Sequence, residues 1–321
     1  MSMHAAVVRS FDHAPRYEVH DVPEPADEDE SLVDVLAAGL HPRVRTGASG
    51  RHYSGSGTLP MIPGVDGVGR LPDGRRVYFV APDDVRGSMA DQAVLDVRRM
   101  VVLPDRADTN KVAAAMNPAM SAWVALRRRV PLQPGQSVLV LGATGNAGGM
   151  AVQVAKLLGA SRVVGAGRNP VGLRELPGLG ADAVVALNGD PADVAGRLAS
   201  AAAETDIVID YLWGEPAASA MVALLRARGD RSRALDWIQI GAMAGPTLEL
   251  PSVALRSANL RIQGNGQGAV STRAYLDELP SLIEQIDAGA LKVDARPVPL
   301  SEVEAIWNVP DAPGERVVLI P

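Results

Sequence analysis

The sequence contains no cysteine among its 321 residues. This absence excludes disulfide bonds, thiol nucleophiles, iron–sulfur clusters and every zinc site that needs a cysteine ligand. Aromatic residues are also scarce, with 2 Phe, 4 Trp and 5 Tyr. We therefore expect hydrophobic cores built mainly from Ala, Val and Leu.

Long apolar runs and an excess of positive charge are missing as well. No stretch reaches the roughly 18 consecutive apolar residues of a membrane-spanning helix. Met1–Phe11 contain no basic segment followed by a long apolar one. The formal net charge is -6, which disfavours a surface that holds phosphodiester backbones. We predict a soluble cytoplasmic protein with no membrane and no nucleic-acid partner.

The order of predicted elements indicates two kinds of domain, for which the chain is long enough. The first third combines short strand-like segments with turns rich in Gly and Pro. From Ser137 to Gln263, strands and helices alternate, which is typical of a parallel sheet with crossover helices. The last predicted strand, Arg316–Ile320, is separate from this alternation and is expected to return to the first domain.

Two further local expectations concern helices. The composition of residues 272–288 predicts a single helix from Thr272 to Ala288. The run Arg127-Arg128-Arg129 is interpreted as a solvated helix end, where positive charge interacts favourably with the helix dipole.

The strongest motif is a buried strand that runs into a glycine-rich turn. Ser137–Leu141 is apolar after its first residue, and Ala147–Leu158 is predicted to be a helix. Glycines with GxxGxxG spacing between such elements allow a tight turn, a close approach of the backbone to a pyrophosphate, and packing of the helix on the strand. The sequence thus predicts a dinucleotide site that includes Gly142, Ala143, Thr144, Gly145, Asn146, Ala147 and Gly148.

The end of the second predicted strand discriminates between cofactors. Sites for NAD usually place a carboxylate here to bind the adenosine ribose, whereas this chain has Gly167, Arg168 and Asn169. Arg168 could pair with a 2′-phosphate, with Asn169 assisting. We predict NADP(H) as the cofactor; the alternative is a solvated surface arginine.

Further motifs are spread over nearly the whole chain. They are Ala38–Pro42, Pro63–Gly69, Gly87–Gln92, Leu132–Gly135, the glycine turn, Leu179–Asp182 and Ile240–Gly245. This combination resembles the medium-chain dehydrogenase/reductase superfamily, on its zinc-independent quinone oxidoreductase branch. The combination is specific for the superfamily and does not specify a substrate.

The resemblance implies an α/β protein with two domains. Residues 1–117 and 266–321 would form a split, GroES-like, β-rich catalytic domain, and residues 118–265 a Rossmann domain with a doubly wound parallel sheet. It also implies a homodimer that pairs the edge strands near Leu260–Gln263 across a twofold axis. The nicotinamide would lie near Ser121, Leu212, Gly241, Ala242, Met243 and Asn265.

Departures from the zinc-dependent relatives bear on the reaction. Those relatives carry a cysteine where this chain has Leu40-His41, and a His-Glu pair where it has Val65-Asp66. His41 and Asp66 alone are too few for a catalytic zinc site with three protein ligands, so no metal is expected. Without zinc to polarise an alcohol or a carbonyl, we expect reduction of an activated acceptor, either a quinone or an α,β-unsaturated carbonyl.

Two residues are candidates for catalysis. The His41 imidazole could hold a substrate carbonyl or donate a proton near neutral pH. Tyr53 lies in a Gly-rich loop where related enoyl reductases supply a tyrosine, and its phenol could bind an enolate oxygen or deliver a proton. The alternatives are a structural histidine bonded to backbone and an aromatic residue with no catalytic part.

The leading hypothesis is an NADPH-dependent, metal-free reductase of quinones or α,β-unsaturated carbonyls. An enoyl-thioester reductase of lipid or polyketide metabolism is the alternative within the same superfamily. A non-catalytic NADPH-binding sensor or structural protein is the alternative from another class; it would bind the cofactor without turnover.

Overall fold

The computed structural model describes residues 1–52, 55–266 and 268–321. The chain divides into two units, one formed by Met1–Asn117 with Leu279–Pro321 and the other by Pro118–Glu278. In the described ranges, no helix combines the length and the apolar character needed to cross a bilayer.

The strands are numbered in chain order. They are β1 (Ser2–Val7), β2 (Arg16–Asp21), β3 (Glu30–Gly39), β4 (Asp66–Arg70), β5 (Arg76–Val80), β6 (Gln92–Asp96), β7 (Met100–Val102), β8 (Ser137–Leu141), β9 (Arg162–Gly167), β10 (Ala183–Ala186), β11 (Ile207–Asp210), β12 (Leu235–Gln239), β13 (Leu260–Gly264), β14 (Asp294–Pro299) and β15 (Glu315–Ile320).

The helices are numbered in the same way. They are α1 (Pro42–Ala48), α2 (Thr109–Val124), α3 (Asn146–Leu157), α4 (Pro170–Glu175), α5 (Pro191–Ala202), α6 (Gly214–Ala227), α7 (Ser252–Arg256), α8 (Thr272–Leu276), α9 (Leu279–Asp287) and α10 (Val303–Ile306). Short 3-10 turns span Val97–Arg99, Leu176–Leu179 and Leu300–Glu302, and a π-helical turn, Ala125–Arg129, continues α2.

The first unit is rich in β-structure and has β3 at its centre. This strand pairs antiparallel with β4, β6 and β15, and β1 pairs with β2 in a separate ribbon. Along β3, buried Val33 and Val35 flank exposed Asp34, the alternation of a strand with one face on a core. Those two valines pack with Phe79 in one of the unit's hydrophobic clusters. Because β15 pairs with β3, the C-terminal strand returns to the first unit, as predicted.

The second unit contains a six-stranded sheet in which every pairing is parallel. Its spatial order is β10-β9-β8-β11-β12-β13, so the strands run 3-2-1-4-5-6 when counted from β8. This is the order of a doubly wound dinucleotide-binding fold. Val138–Leu141 are fully buried because a central parallel strand is covered on both faces. The predicted α/β fold class is confirmed.

Residues 266–278 belong to the second unit, whereas the sequence analysis assigned them to the first. The Glu278 carboxylate is buried and accepts hydrogen bonds from Trp123, Arg127 and Arg128 at the end of α2 and in the π-helical turn. Burial alone would raise the pKa of Glu278, but the hydrogen bonds from the two arginines outweigh it and lower the pKa. Arg127 and Arg128 are exposed, as predicted for a solvated helix end, but they also bind this buried carboxylate, which was not predicted.

The helix predicted from Thr272 to Ala288 is broken into α8 and α9. Pro280 lacks an N–H to donate to the carbonyl of Leu276, so the helical hydrogen bonding is interrupted there, and Pro280 instead becomes the second residue of α9. The break leaves Glu278 between the two helices, where its carboxylate reaches the arginines.

Candidate functional site

The glycine turn lies between β8 and α3. Gly142 has a φ of +85°, in the left-handed region that favours glycine. The N–H groups of Gly142 and Ala143 both donate to the carbonyl of Ala166 at 2.9 Å, which ties the turn to the end of β9. Gly145 is the N-cap of α3 and provides no capping side chain. The first N–H groups of a helix lack intrahelical acceptors, so this turn is suited to an anion such as a pyrophosphate.

The sequence-predicted residues of the turn take different positions. Ala143 is buried and packs under the turn, and Gly145 is exposed at its tip. Thr144 is half-buried, as are Asn146 and Ala147 in the first turn of α3.

Two glycines allow the close packing of this region. A Cβ on Gly148 would lie 2.2 Å from the Gly142 carbonyl oxygen and 2.6 Å from the Ala143 Cα. A Cβ on Gly167 would lie 2.5 Å from the Thr144 Cγ2. The structure thereby brings the predicted turn residues and the end of β9 together, as a shared dinucleotide site requires.

Arg168 is the first residue after β9 and is exposed. Its carbonyl accepts a hydrogen bond from Asn188, but its guanidinium has no hydrogen bond or ion pair with the residues that the structure describes. Asn169 caps α4, its side-chain oxygen accepting from the Val171 N–H at 2.9 Å. Arg168 is thus available to an anion, whereas the Asn169 oxygen is engaged by the helix.

Ser121, Tyr211 and Asn265 meet near the end of β11. The Ser121 Oγ lies 3.0 Å from the Pro118 carbonyl oxygen and 2.8 Å from the Tyr211 Oη. Since Ser121 has one hydroxyl proton, both contacts are satisfied when it donates to Pro118 and Tyr211 donates to it. The Asn265 amide donates to the Ser121 carbonyl at 2.9 Å. The structure therefore joins two predicted cofactor residues and adds Tyr211.

The other predicted nicotinamide residues lie on the loops that follow β11 and β12. The N–H of Met243 donates to the Tyr211 carbonyl at 3.2 Å. A Cβ on Gly241 would lie 2.7 Å from that same carbonyl oxygen, so the two loops are in direct backbone contact. Leu212 is half-buried, while Ala242 and Met243 are exposed.

Asp210, Tyr211 and Trp237 were not among the predicted site residues. Asp210 is the last residue of the buried strand β11, and its carboxylate accepts from Trp237 and from two loop N–H groups. The available signal was a carboxylate in the otherwise apolar run Ile207–Asp210. Burial raises the pKa of Tyr211 far above its ordinary value, so the phenol is protonated at neutral pH.

His41 lies in the first unit and is buried. Its Nε2 is 3.1 Å from Asp66 Oδ1, and the other oxygen of that carboxylate accepts from the Tyr78 hydroxyl at 2.7 Å. Burial lowers the pKa of His41 despite the raising effect of Asp66, so the ring is neutral at pH 7. A neutral ring that donates from Nε2 has no proton on Nδ1, and Nδ1 has no hydrogen-bond partner among the residues that the structure describes. This arrangement favours a structural role for His41 over proton donation.

The second catalytic candidate, Tyr53, lies outside the described residues. Within residues 1–52, 55–266 and 268–321, the structure contains no cluster of three or more His, Asp or Glu side chains that could hold a metal ion.

Comparisons with known proteins match the second unit of the chain to a family model, and nearly the whole chain to a curated relative and to solved structures. The family model described as zinc-binding dehydrogenase matches residues 147–279. A probable NADPH-dependent quinone reductase from Emericella nidulans is 31% identical, over 99% of this chain and 100% of that protein. The quinone oxidoreductase from Thermus thermophilus, solved alone and with NADPH, is 26% identical with a TM-score of 0.81 and covers 99% of this chain and 100% of its own. A polyketide synthase, GfsB from Streptomyces halstedii, is 30% identical over 70% of this chain and 4% of its own length.

Proposed function

Because the chain belongs to the quinone oxidoreductase-like branch of the medium-chain dehydrogenase/reductase superfamily, we propose that it is an NADPH-dependent, zinc-independent enzyme that reduces a quinone. The observation that carries this proposal is the match to the Emericella nidulans quinone reductase over 99% of the chain and 100% of that relative. An α,β-unsaturated carbonyl is the second acceptor that fits, because it also takes up one hydride and one proton.

The second unit supplies the proposed cofactor site. The pyrophosphate would bind the glycine turn, residues 142–148, and the 2′-phosphate would bind Arg168, whose guanidinium is exposed and has no partner among the described residues. The end of β9, Gly167, and the Asn169 amide would border the adenosine. The other half of NADPH, which supplies the hydride, would lie beside Ser121, Leu212, Gly241, Ala242, Met243 and Asn265.

The chain's own residues would manage the proton that completes the reduction. Tyr53 remains the proposed donor, with water as the other source. His41 was predicted for this step, but its neutral ring points Nε2 at Asp66. We therefore assign His41 to holding Asp66 and, through it, the Tyr78 hydroxyl.

A cytoplasmic location of the protein stays a prediction from the sequence.

The test is a panel of acceptors followed at the nicotinamide absorbance, with NADPH and NADH compared for each. We expect the highest kcat/KM with a quinone and NADPH. The match to a polyketide synthase favours one alternative in particular, an enoyl-thioester reductase. A clear preference for enoyl-thioesters would move the function there, and NADPH binding without turnover on any acceptor would identify a sensor.

The exposed edge of the sheet supports the proposed homodimer. β13 is the last strand of the six-stranded sheet, and Ile262 on it is 38% exposed. An open edge pairs readily with the same strand of a second copy. We expect a dimer in sedimentation and a shift to monomer in Ile262→Lys. Val19→Lys on β2, also at an exposed position, is the matched control; a monomeric parent protein would refute the dimer.

A further inference from the structure

The loop between β11 and α6 contains an unusual backbone conformation. Trp213 has a φ of +53° and a ψ of -161°, and it is the one non-glycine residue with positive φ in the described parts of the chain. Bulky side chains rarely adopt this region, and such residues persist only where the surroundings hold them. Gly214, with a φ of +63°, follows directly and begins α6. The surrounding structure must therefore hold the Trp213 backbone in this conformation.

The carboxylate of Asp210 provides that restraint. Asp210 is completely buried at the end of β11. Its Oδ1 accepts from the N–H of Leu212 at 2.8 Å and from the N–H of Trp213 at 3.0 Å. Its Oδ2 accepts from the Nε1 of Trp237, a fully buried residue of β12, at 2.9 Å. One oxygen holds the strained residue and the other anchors the carboxylate to the core.

Backbone hydrogen bonds extend this restraint to the next loop. The N–H of Gly241 donates to the Asp210 carbonyl at 3.1 Å, and the N–H of Ala244 donates to the Leu212 carbonyl at 2.8 Å. Together with the bond from Met243 to Tyr211, these contacts join the two loops along their length. Fixing the first loop therefore fixes the second.

These loops border the glycine turn. A Cβ on Gly142 would lie 3.2 Å from the Leu212 side chain and 3.3 Å from the Tyr211 Cβ. β11 lies directly beside β8, at the point where the strand order reverses. In a doubly wound sheet a dinucleotide lies across this point, with one half on each side. Since Arg168 follows β9 on one side, the loops after β11 and β12 border the nicotinamide half.

We propose that Asp210 is a positioning residue for hydride transfer. Its carboxylate clamps the Trp213 backbone and so sets Tyr211, with its hydroxyl on Ser121, and Leu212 beside the nicotinamide half of the cofactor. Asp210 itself is buried beneath the loop and acts through it. This inference rests on the proposed function, because it assumes that NADPH occupies this edge of the sheet.

The substitution Asp210→Asn tests the two sets of hydrogen bonds that the carboxylate accepts, those from the loop N–H groups and the one from Trp237. An asparagine has one acceptor oxygen, so its NH2 group must oppose either the loop N–H groups or the Trp237 indole N–H. Trp237→Phe removes the indole donor, and the double variant lets the asparagine oxygen bind the loop while its NH2 faces no donor. Asp210→Asn is therefore expected to be impaired, and the double variant to recover part of the loss.

The measurements distinguish an effect on the nicotinamide half of the cofactor from an effect on the adenosine half. We expect Asp210→Asn to lower kcat with a quinone by about 10- to 100-fold, the range expected when reacting groups shift by up to about 1 Å. The deuterium isotope effect on kcat with NADPH labelled at C4 should rise. Binding of 2′,5′-ADP, which carries only the adenosine half, should change by less than about twofold, since that half lies beyond the loop.

Several results would overturn the proposal. One is a kcat for Asp210→Asn that equals that of the parent; another is no recovery in the double variant. An equal loss of 2′,5′-ADP binding and turnover would assign Asp210 to the stability of the whole unit instead. Failure of the proposed function has a different signature: the parent protein would show no NADPH oxidation with any acceptor, and the positioning role would fall with it.

Discussion

Arg168→Ala is expected to lower kcat/KM with NADPH by about 10- to 100-fold and to leave kcat/KM with NADH within about twofold. The guanidinium follows β9, is exposed, and has no hydrogen bond or ion pair within the described residues. A charge-assisted hydrogen bond to a phosphate contributes about 1.5–3 kcal/mol, and each 1.4 kcal/mol is a factor of about ten. NADH lacks the 2′-phosphate and therefore loses nothing. The measurement is steady-state kinetics with both cofactors at a fixed quinone concentration.

Arg162 offers a matched control at the opposite end of the same strand. It is an exposed arginine at the beginning of β9, whereas Arg168 follows the end of β9. Arg162→Ala should leave both cofactors unaffected. An unchanged NADPH efficiency in Arg168→Ala, or an equal fall with NADH, would show that Arg168 does not bind the 2′-phosphate.

The second large effect is expected from Gly148→Ala. The new Cβ would lie 2.2 Å from the Gly142 carbonyl oxygen and 2.6 Å from the Ala143 Cα. Both neighbours are backbone, so no side chain can move aside, and α3 must shift away from the turn. We expect the free energy of unfolding to fall by about 1–3 kcal/mol, the usual cost of overpacking. The Kd for NADPH should rise by about 100-fold or more, because the helix N-terminus would be displaced from the phosphate.

Gly196 in α5 supplies the control for this substitution. It is exposed, and an added Cβ would meet nothing within 4 Å. Gly196→Ala should gain about 0.5–1 kcal/mol of stability from helix propensity and bind NADPH like the parent. Denaturant titration and fluorescence titration of NADPH measure both quantities. Normal binding by Gly148→Ala would contradict the role given to the turn.

The parallel-sheet unit could be predicted because its signals are local in sequence. The glycines at 142, 145 and 148 follow an apolar strand directly, and the alternation of strands and helices continues to Gln263. The exposed position of Arg168 follows from its place after β9. Such signals depend on backbone geometry within a few residues, which composition and spacing reveal.

Contacts between distant residues were not predictable in the same way. Glu278 binds arginines about 150 positions earlier, and no local pattern links them. Tyr211 and Ser121 are 90 residues apart, and no local pattern places the residue after β11 against α2. The burial of His41 against Asp66 depends on how β4 packs in the first unit, so its protonation state could not be inferred from the sequence. These contacts could be identified only from the three-dimensional structure.

The most direct test of the central claim uses the parent protein dialysed against a metal chelator. The initial rate of NADPH oxidation is measured with and without a water-soluble benzoquinone, and the same assay is run with NADH. We expect quinone-dependent oxidation that is unaffected by the chelator and much faster with NADPH than with NADH. A rate that falls to background after dialysis and returns on adding zinc, or a preference for NADH, would contradict it.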